Sequence, residues 1–173
     1  MEDEPMRDML KRYNVNCLWH FTDKRNIASI KQYGLLSWGE LKRRGLVPAV
    51  PGGNQWSHDA DAYSGLENYV HLSFNKNNPM LYIATKEGRI VDPVWLSIDL
   101  SVIDENTLYT SDVSNKANVQ RLDNISALKE IDFEALFKYL DFKIDGNAQR
   151  KKAAVKSEIL VPAMIDLNKI KGL

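Results

Sequence analysis

The sequence holds a single cysteine, Cys17, among its 173 residues. That excludes an internal disulfide and any cysteine-based zinc finger. Net charge is absent too: Lys plus Arg and Asp plus Glu each total 23. A chain so balanced does not hold polyanions by bulk charge. No long apolar run is present. The stretch Leu46–His58 is free of charged residues, yet it contains two prolines and two glycines and cannot span a bilayer. The N-terminus, MEDEPMRDMLKR, lacks the apolar centre of a signal peptide. A soluble, cytoplasmic protein with no membrane partner is expected. There is no glycine-rich phosphate loop ending in Lys-Ser or Lys-Thr, and no Gly-x-Ser-x-Gly elbow. His20, His58 and His71 do not have the paired spacing of metal ligands on a helix, so no metal is expected. Internal repeats and low-complexity tracts are also missing.

What is present fits one folded domain over residues 1–173. Hydrophobic residues make up 44% and charged residues 27%, the mix of a chain that can bury a core. The charge is unevenly placed. Residues 1–45 and 141–173 each carry +3, and residues 46–140 carry −6. Two basic ends can form one face if they meet in the fold, or the pattern is ordinary surface scatter.

Periodicity predicts short elements of both kinds. Glu4 to Tyr13 reads as a helix with Met6, Met9 and Leu10 on one side. Cys17 to Phe21 is an aromatic-rich strand. Thr22 or Asp23 can cap a helix carrying Ile27 and Ile30, which Gly34 can close. Ser37 to Arg44 is a second, basic helix, followed by a long Pro-, Gly- and Ser-rich loop to Leu66. Further strands are expected at Tyr69–Phe74, Val94–Leu100, Thr107–Thr110, Glu158–Val161 and Met164–Ile170. Helices are expected at Pro79–Lys86, Phe133–Leu140 and Asn147–Val155. Strands mixed with short helices predict an α+β fold with a mainly antiparallel sheet.

Two residues stand out chemically. His20 lies inside an apolar strand, where a histidine is either buried structure or part of a site. Glu158 opens an apolar strand after the basic run Arg150, Lys151, Lys152 and Lys156. A carboxylate there either faces solvent or is desolvated enough to act as a base.

The ordered blocks containing them resemble the DarT family of ADP-ribosyltransferase toxins. Trp19-His20-Phe21-Thr22 with Asn26, Ile30 and Gly34-Leu35-Leu36-Ser37 is similar to the family's opening. Tyr69-Val70-His71-Leu72-Ser73-Phe74 followed by Asn78-Pro79-Met80-Leu81-Tyr82 resembles its second strand and the helix after it. Tyr109-Thr110-Ser111-Asp112 with Asn115 and Ala117 resembles its substrate-facing loop. Lys156-Ser157-Glu158-Ile159-Leu160-Val161-Pro162 resembles the strand of its catalytic glutamate.

The resemblance implies an ADP-ribosyltransferase-like split, mainly antiparallel sheet with short flanking helices, using NAD as co-substrate. It implies transfer of ADP-ribose to a base of single-stranded DNA or RNA by a toxin of a toxin–antitoxin or phage-defence system, with an antitoxin protein as partner. The alternatives are a protein-directed transferase and a non-catalytic NAD- or nucleic-acid-binding module. By the same resemblance Glu158 is catalytic, and His20, Phe21, Thr22, Asn26 and Leu35 bind the cofactor. Arg43 or Arg44 lies near the phosphates, with the Gly52-Gly53 turn as another candidate. Trp56, Tyr63 and Tyr109 are candidates for stacking on unpaired bases. A lysine at position 156, with Lys151 and Lys152, suits an anionic acceptor.

The chain departs from the family in two places. It has His71-Leu72-Ser73 where relatives carry a Pro-aromatic pattern. The covering loop, Pro48 to Asp59, has no arginine, although the family places a catalytic one there. Arg44 is the nearest candidate for that role, and His58 and His71 are the alternatives.

Overall fold

The computed structural model describes residues 4–50 and 64–173. The readings placed on Gly52, Gly53, Trp56, His58 and Tyr63 lie outside the described residues. Helix α1 (Glu4–Arg12) buries Met6 and Leu10 completely, as their spacing of four residues on one helical face requires. Strand β1 (Cys17–Asp23) follows, then α2 (Ile27–Tyr33), β2 (Leu35–Leu36) and α3 (Trp38–Arg43). Next come β3 (Tyr69–Ser73), α4 (Pro79–Lys86), β4 (Pro93–Asp99) and β5 (Leu108–Thr110). The chain continues through α5 (Asn124–Glu130), α6 (Phe133–Phe137), α7 (Asn147–Ala154), β6 (Glu158–Pro162), β7 (Met164–Ile165) and β8 (Ile170–Lys171).

Six strands form one antiparallel sheet in the order β5-β6-β3-β1-β4-β8, and β2 pairs with β7 beside it. The sheet is divided in the middle. β1 pairs with β4 along its whole length, from Cys17 opposite Asp99 to Asp23 opposite Pro93. Towards β3 its register is a single pair, Trp19 opposite Ser73. The halves β5-β6-β3 and β1-β4-β8 therefore part beyond that pair. The gap between β1 and β3 is the origin of the cavity described below.

Local chemistry sets several boundaries. Asn78 caps α4 by accepting from the Met80 N–H at 2.8 Å, and Pro79 takes the first helical position. Gly34 ends α2 at a φ of 80°, and a Cβ there would stand 2.7 Å from the Ile165 carbonyl oxygen. Only glycine lets β2 approach β7 so closely. In β6 the run Ile159-Leu160-Val161 is buried, as an interior strand covered on both faces must be.

Three sequence expectations differ from the structure. Helix α5 was not anticipated, because Asn124–Glu130 is short and its only buried residues are Asn124 and Ala127. The last strand is two short strands, β7 and β8, separated by a helical turn at Leu167–Lys169. Tyr109 is not a loop residue free to stack on bases. It is fully buried on β5, and its hydroxyl donates to Asn124 Oδ1 at 2.5 Å.

The basic run before Glu158 is also partly committed to structure. Arg150 pairs with Asp132 at 2.7 Å and with Glu134 at 3.1 Å. Lys151 Nζ donates to the carbonyls of Ala135 and Leu136, at 2.7 and 3.1 Å, closing the end of α6. Lys152 stays exposed and Lys156 half-buried, so the anionic-acceptor reading keeps those two cations.

Candidate active site

A cavity of about 270 Å³ opens where the two halves of the sheet part. Its walls come from β1, β3, α2, the start of α3, the Pro48–Val50 segment and the first residue of β6. His20 and Glu158, near opposite ends of the chain, both line it.

His20 bridges the parting strands. Its Nδ1 lies 3.0 Å from the His71 carbonyl oxygen, which can only accept, so Nδ1 carries the proton and Nε2 is left as an acceptor. Burial pulls the His20 pKa down to about 4, against the upward pull of that carbonyl, and the charge of His71 lowers it further. The ring is therefore neutral near pH 7. It stacks on Phe21 at 6.3 Å, and Phe21 in turn meets Trp95 edge-on at 5.7 Å. Thr22 is buried at the cavity wall, and its hydroxyl accepts from Asn26 Nδ2 at 3.0 Å. Asn26 also exchanges two hydrogen bonds with the Val50 backbone, at 2.7 and 2.9 Å. It thereby ties the start of the covering loop to β1. Leu35 lies buried in the same wall.

Glu158 begins β6 and sits in register between Ser73 on β3 and Thr110 on β5. Its side chain is 16% exposed. Oε2 accepts from the Ser114 N–H at 2.5 Å, and Oε1 lies 3.4 Å from His71 Nδ1. Burial pushes the carboxyl pKa up, but the hydrogen bond and charge of His71 and the contacts of Ser114 outweigh it and hold the group below the usual range. Glu158 is therefore an ionised, oriented carboxylate, with its basicity lowered rather than raised by its surroundings.

The arginines are placed differently. Arg43 reaches Glu40 at 2.7 Å and Arg44 reaches it at 3.1 Å, so both are bound to their own helix. Neither is among the residues that line the cavity. The structure thus gathers His20, Phe21, Thr22, Asn26, Leu35 and Glu158, and leaves Arg43 and Arg44 at the rim of α3. Sequence reasoning did not single out Ser114. Its signal was its place inside the Ser111–Ala117 loop, whose turn brings its N–H to a carboxylate 44 residues away.

Among the described residues, no group of three His, Cys, Asp or Glu side chains could hold a metal ion. No described helix is long and apolar enough to cross a membrane.

A divided antiparallel sheet with an imidazole and a carboxylate facing one cleft defines a fold of the ADP-ribosyltransferase type. Residues 19–173 match the model of the family described as ssDNA thymidine ADP-ribosyltransferase, DarT, and the chain belongs to that family. Its fold is similar to that of Thermosipho africanus DarTG in complex with ADP-ribose, with a TM-score of 0.69 at 22% identity over 90% of this chain. This chain spans 42% of the length of that one. It is also similar to Thermus sp. 2.9 DarT in complex with ADP-ribosylated ssDNA, with a TM-score of 0.68 at 16% identity. That match covers 91% of this chain and 80% of the other. The same Thermus protein in complex with NAD+ gives a TM-score of 0.62 at 18% identity, over 90% and 79% of the two chains. No curated protein matches the sequence at a significant level.

Proposed function

We propose that this protein transfers ADP-ribose from NAD to a thymidine base of single-stranded DNA, as a toxin held in check by an antitoxin protein. The observation that carries this is the convergence of His20 and Glu158 on one cleft in a chain of the DarT family. Relatives bound to NAD+ and to ADP-ribosylated ssDNA support the two substrates.

The residues suit the task. Breaking the nicotinamide–ribose bond builds positive charge on the ribose. An ionised carboxylate fixed beside it stabilises that charge without reorganising. Glu158 is ionised and is held by the Ser114 N–H, so it meets both requirements. His20 offers a bare Nε2 to a ribose hydroxyl, because its Nδ1 proton is spent on the His71 carbonyl. Asn26 fixes the cavity wall through Thr22 and the Val50 backbone. Arg43 and Arg44 are the phosphate candidates only if they leave Glu40. We read the chain as one ADP-ribosyltransferase-like domain, with NAD consumed as a co-substrate.

The test is direct. Incubated with NAD and a thymidine-containing single strand, the protein should add the mass of one ADP-ribose to the oligonucleotide. A strand lacking thymidine, an RNA strand and cell-extract protein should gain none. Transfer to protein or RNA alone would discard the proposed acceptor, and NAD binding without any transfer would favour a sensing module. His20→Ala should weaken NAD binding about tenfold, the loss expected for one buried hydrogen-bond partner. Calorimetry with unchanged circular dichroism checks this.

A further inference from the structure

We propose that His71 is a positioning residue that carries a proton on both ring nitrogens and so clamps the Glu158 carboxylate between an imidazolium and the Ser114 N–H. The proposal rests on the role given to Glu158 above. It starts from an accounting of donors. Nε2 of His71 lies 3.2 Å from the Leu66 carbonyl oxygen, and Nδ1 lies 3.4 Å from Glu158 Oε1. A carbonyl and an ionised carboxylate only accept. A neutral imidazole has one N–H and would turn a lone pair on one of these oxygens. The doubly protonated ring satisfies both. Ser114 Oγ, 3.2 Å from Nδ1, can share that proton as a second acceptor.

The surroundings favour the cation. From β6, Glu158 presents its negative charge. From β1, His20 stays neutral because it is buried and adds no competing positive charge. The other carboxylate on the cavity wall, Glu67, is already paired with Lys42 of α3 at 2.6 Å. Leu160, opposite His71 in the sheet register, is apolar. Glu158 is thus a carboxylate that His71 pairs with directly, at 3.4 Å. A cation at this position also fits a cavity that Arg43 and Arg44, turned to Glu40, do not line. The clamp stops the carboxylate from rotating. A misplacement of about 1 Å at such a group can cost about 10²-fold in rate.

Two measurements test the clamp. In the wild-type protein, the ring nitrogens of His71 should show two N–H groups by 15N NMR at pH 7. The signals are assigned by their absence from the His71→Asn spectrum, or by elimination with His20→Asn and His58→Asn. The single-proton form, with the Ser114 hydroxyl donating to Nδ1, would overturn the proposal whether or not the protein transfers ADP-ribose. For turnover, kcat should fall as pH rises through the titration of the His71 ring. His71→Asn keeps an N–H towards Glu158 but cannot titrate. It should retain transfer at about a tenth of the wild-type kcat and lose the alkaline limb, with KM for NAD within about twofold. His71→Ala should lose about 10²-fold in kcat. An Asn variant with the wild-type pH profile would refute the clamp.

Discussion

Glu158→Gln is expected to lower ADP-ribose transfer by about 10³-fold, leaving the fold and most of the NAD affinity intact. The substitution preserves shape and removes charge. The Ser114 N–H, now 2.5 Å from Oε2, can still donate to the amide oxygen, and the amide NH2 then faces His71 Nδ1, which accepts from it once the ring gives up that proton, so the loop keeps its anchor. What disappears is the fixed negative charge beside the ribose, which acts in the transition state and little in the ground state. The signature is a collapse of kcat with a nearly unchanged KM. Mass spectrometry of the oligonucleotide measures the first quantity, and calorimetric NAD binding the second. Full activity in the Gln variant would remove Glu158 from the chemistry.

The largest effect on stability is expected away from the reacting groups, at Asp23. Its side chain is fully buried, and both oxygens are engaged. Oδ1 accepts from the Arg25 N–H and from Arg25 Nε, at 3.0 and 2.8 Å. Oδ2 accepts from a second Arg25 nitrogen at 2.9 Å and from the N–H groups of Val91 and Asp92, at 2.9 and 3.3 Å. The side-chain hydrogen bond to Arg25, followed by the backbone donors, holds this carboxyl far below the usual range. Asp23→Asn has no good rotamer, because either orientation of the amide turns an NH2 group on existing donors. The melting temperature should drop on the order of 10 °C. Because the folded pKa is depressed, the contribution of Asp23 is present above the ordinary aspartate value of about 4 and fades as the pH falls below it. The melting temperature of the wild type should therefore decline below about pH 4 more steeply than that of the Asn variant. Parallel pH curves for the two proteins would count against this account.

Asp23 also connects stability to the site. It ends β1 one residue after Thr22 and fixes the 91–92 segment that leads into β4. Loosening that corner should loosen the cavity wall formed by Thr22 and Asn26.

Legibility in the sequence followed the range of the interactions. The strand at Cys17–Asp23, the capped helix at Pro79 and the apolar strand after Glu158 were readable because alternation, an Asn-Pro cap and a buried run are local signals. Helix α5 was not, since so few of its residues face the core. Tyr109, within the expected Thr107–Thr110 strand, reads as a base-stacking candidate because nothing adjacent in sequence shows that Phe74 packs on its ring and Asn124 takes its hydroxyl. Arg43 and Arg44 read as free cations in a basic helix, and it is Glu40, one helical turn earlier, that takes both.

The residues themselves determined the class of fold, the single cysteine's irrelevance to disulfides and the candidacy of His20 and Glu158. All of these rest on composition, periodicity and ordered short motifs. Tertiary structure alone decided that the sheet parts after one residue pair, that Ser114 and His71 hold Glu158, and that this carboxylate stays ionised inside a buried site. The reason is that a proton's position depends on groups brought together from distant parts of the chain, and pairing between β1 and β3 is a contact no local pattern encodes.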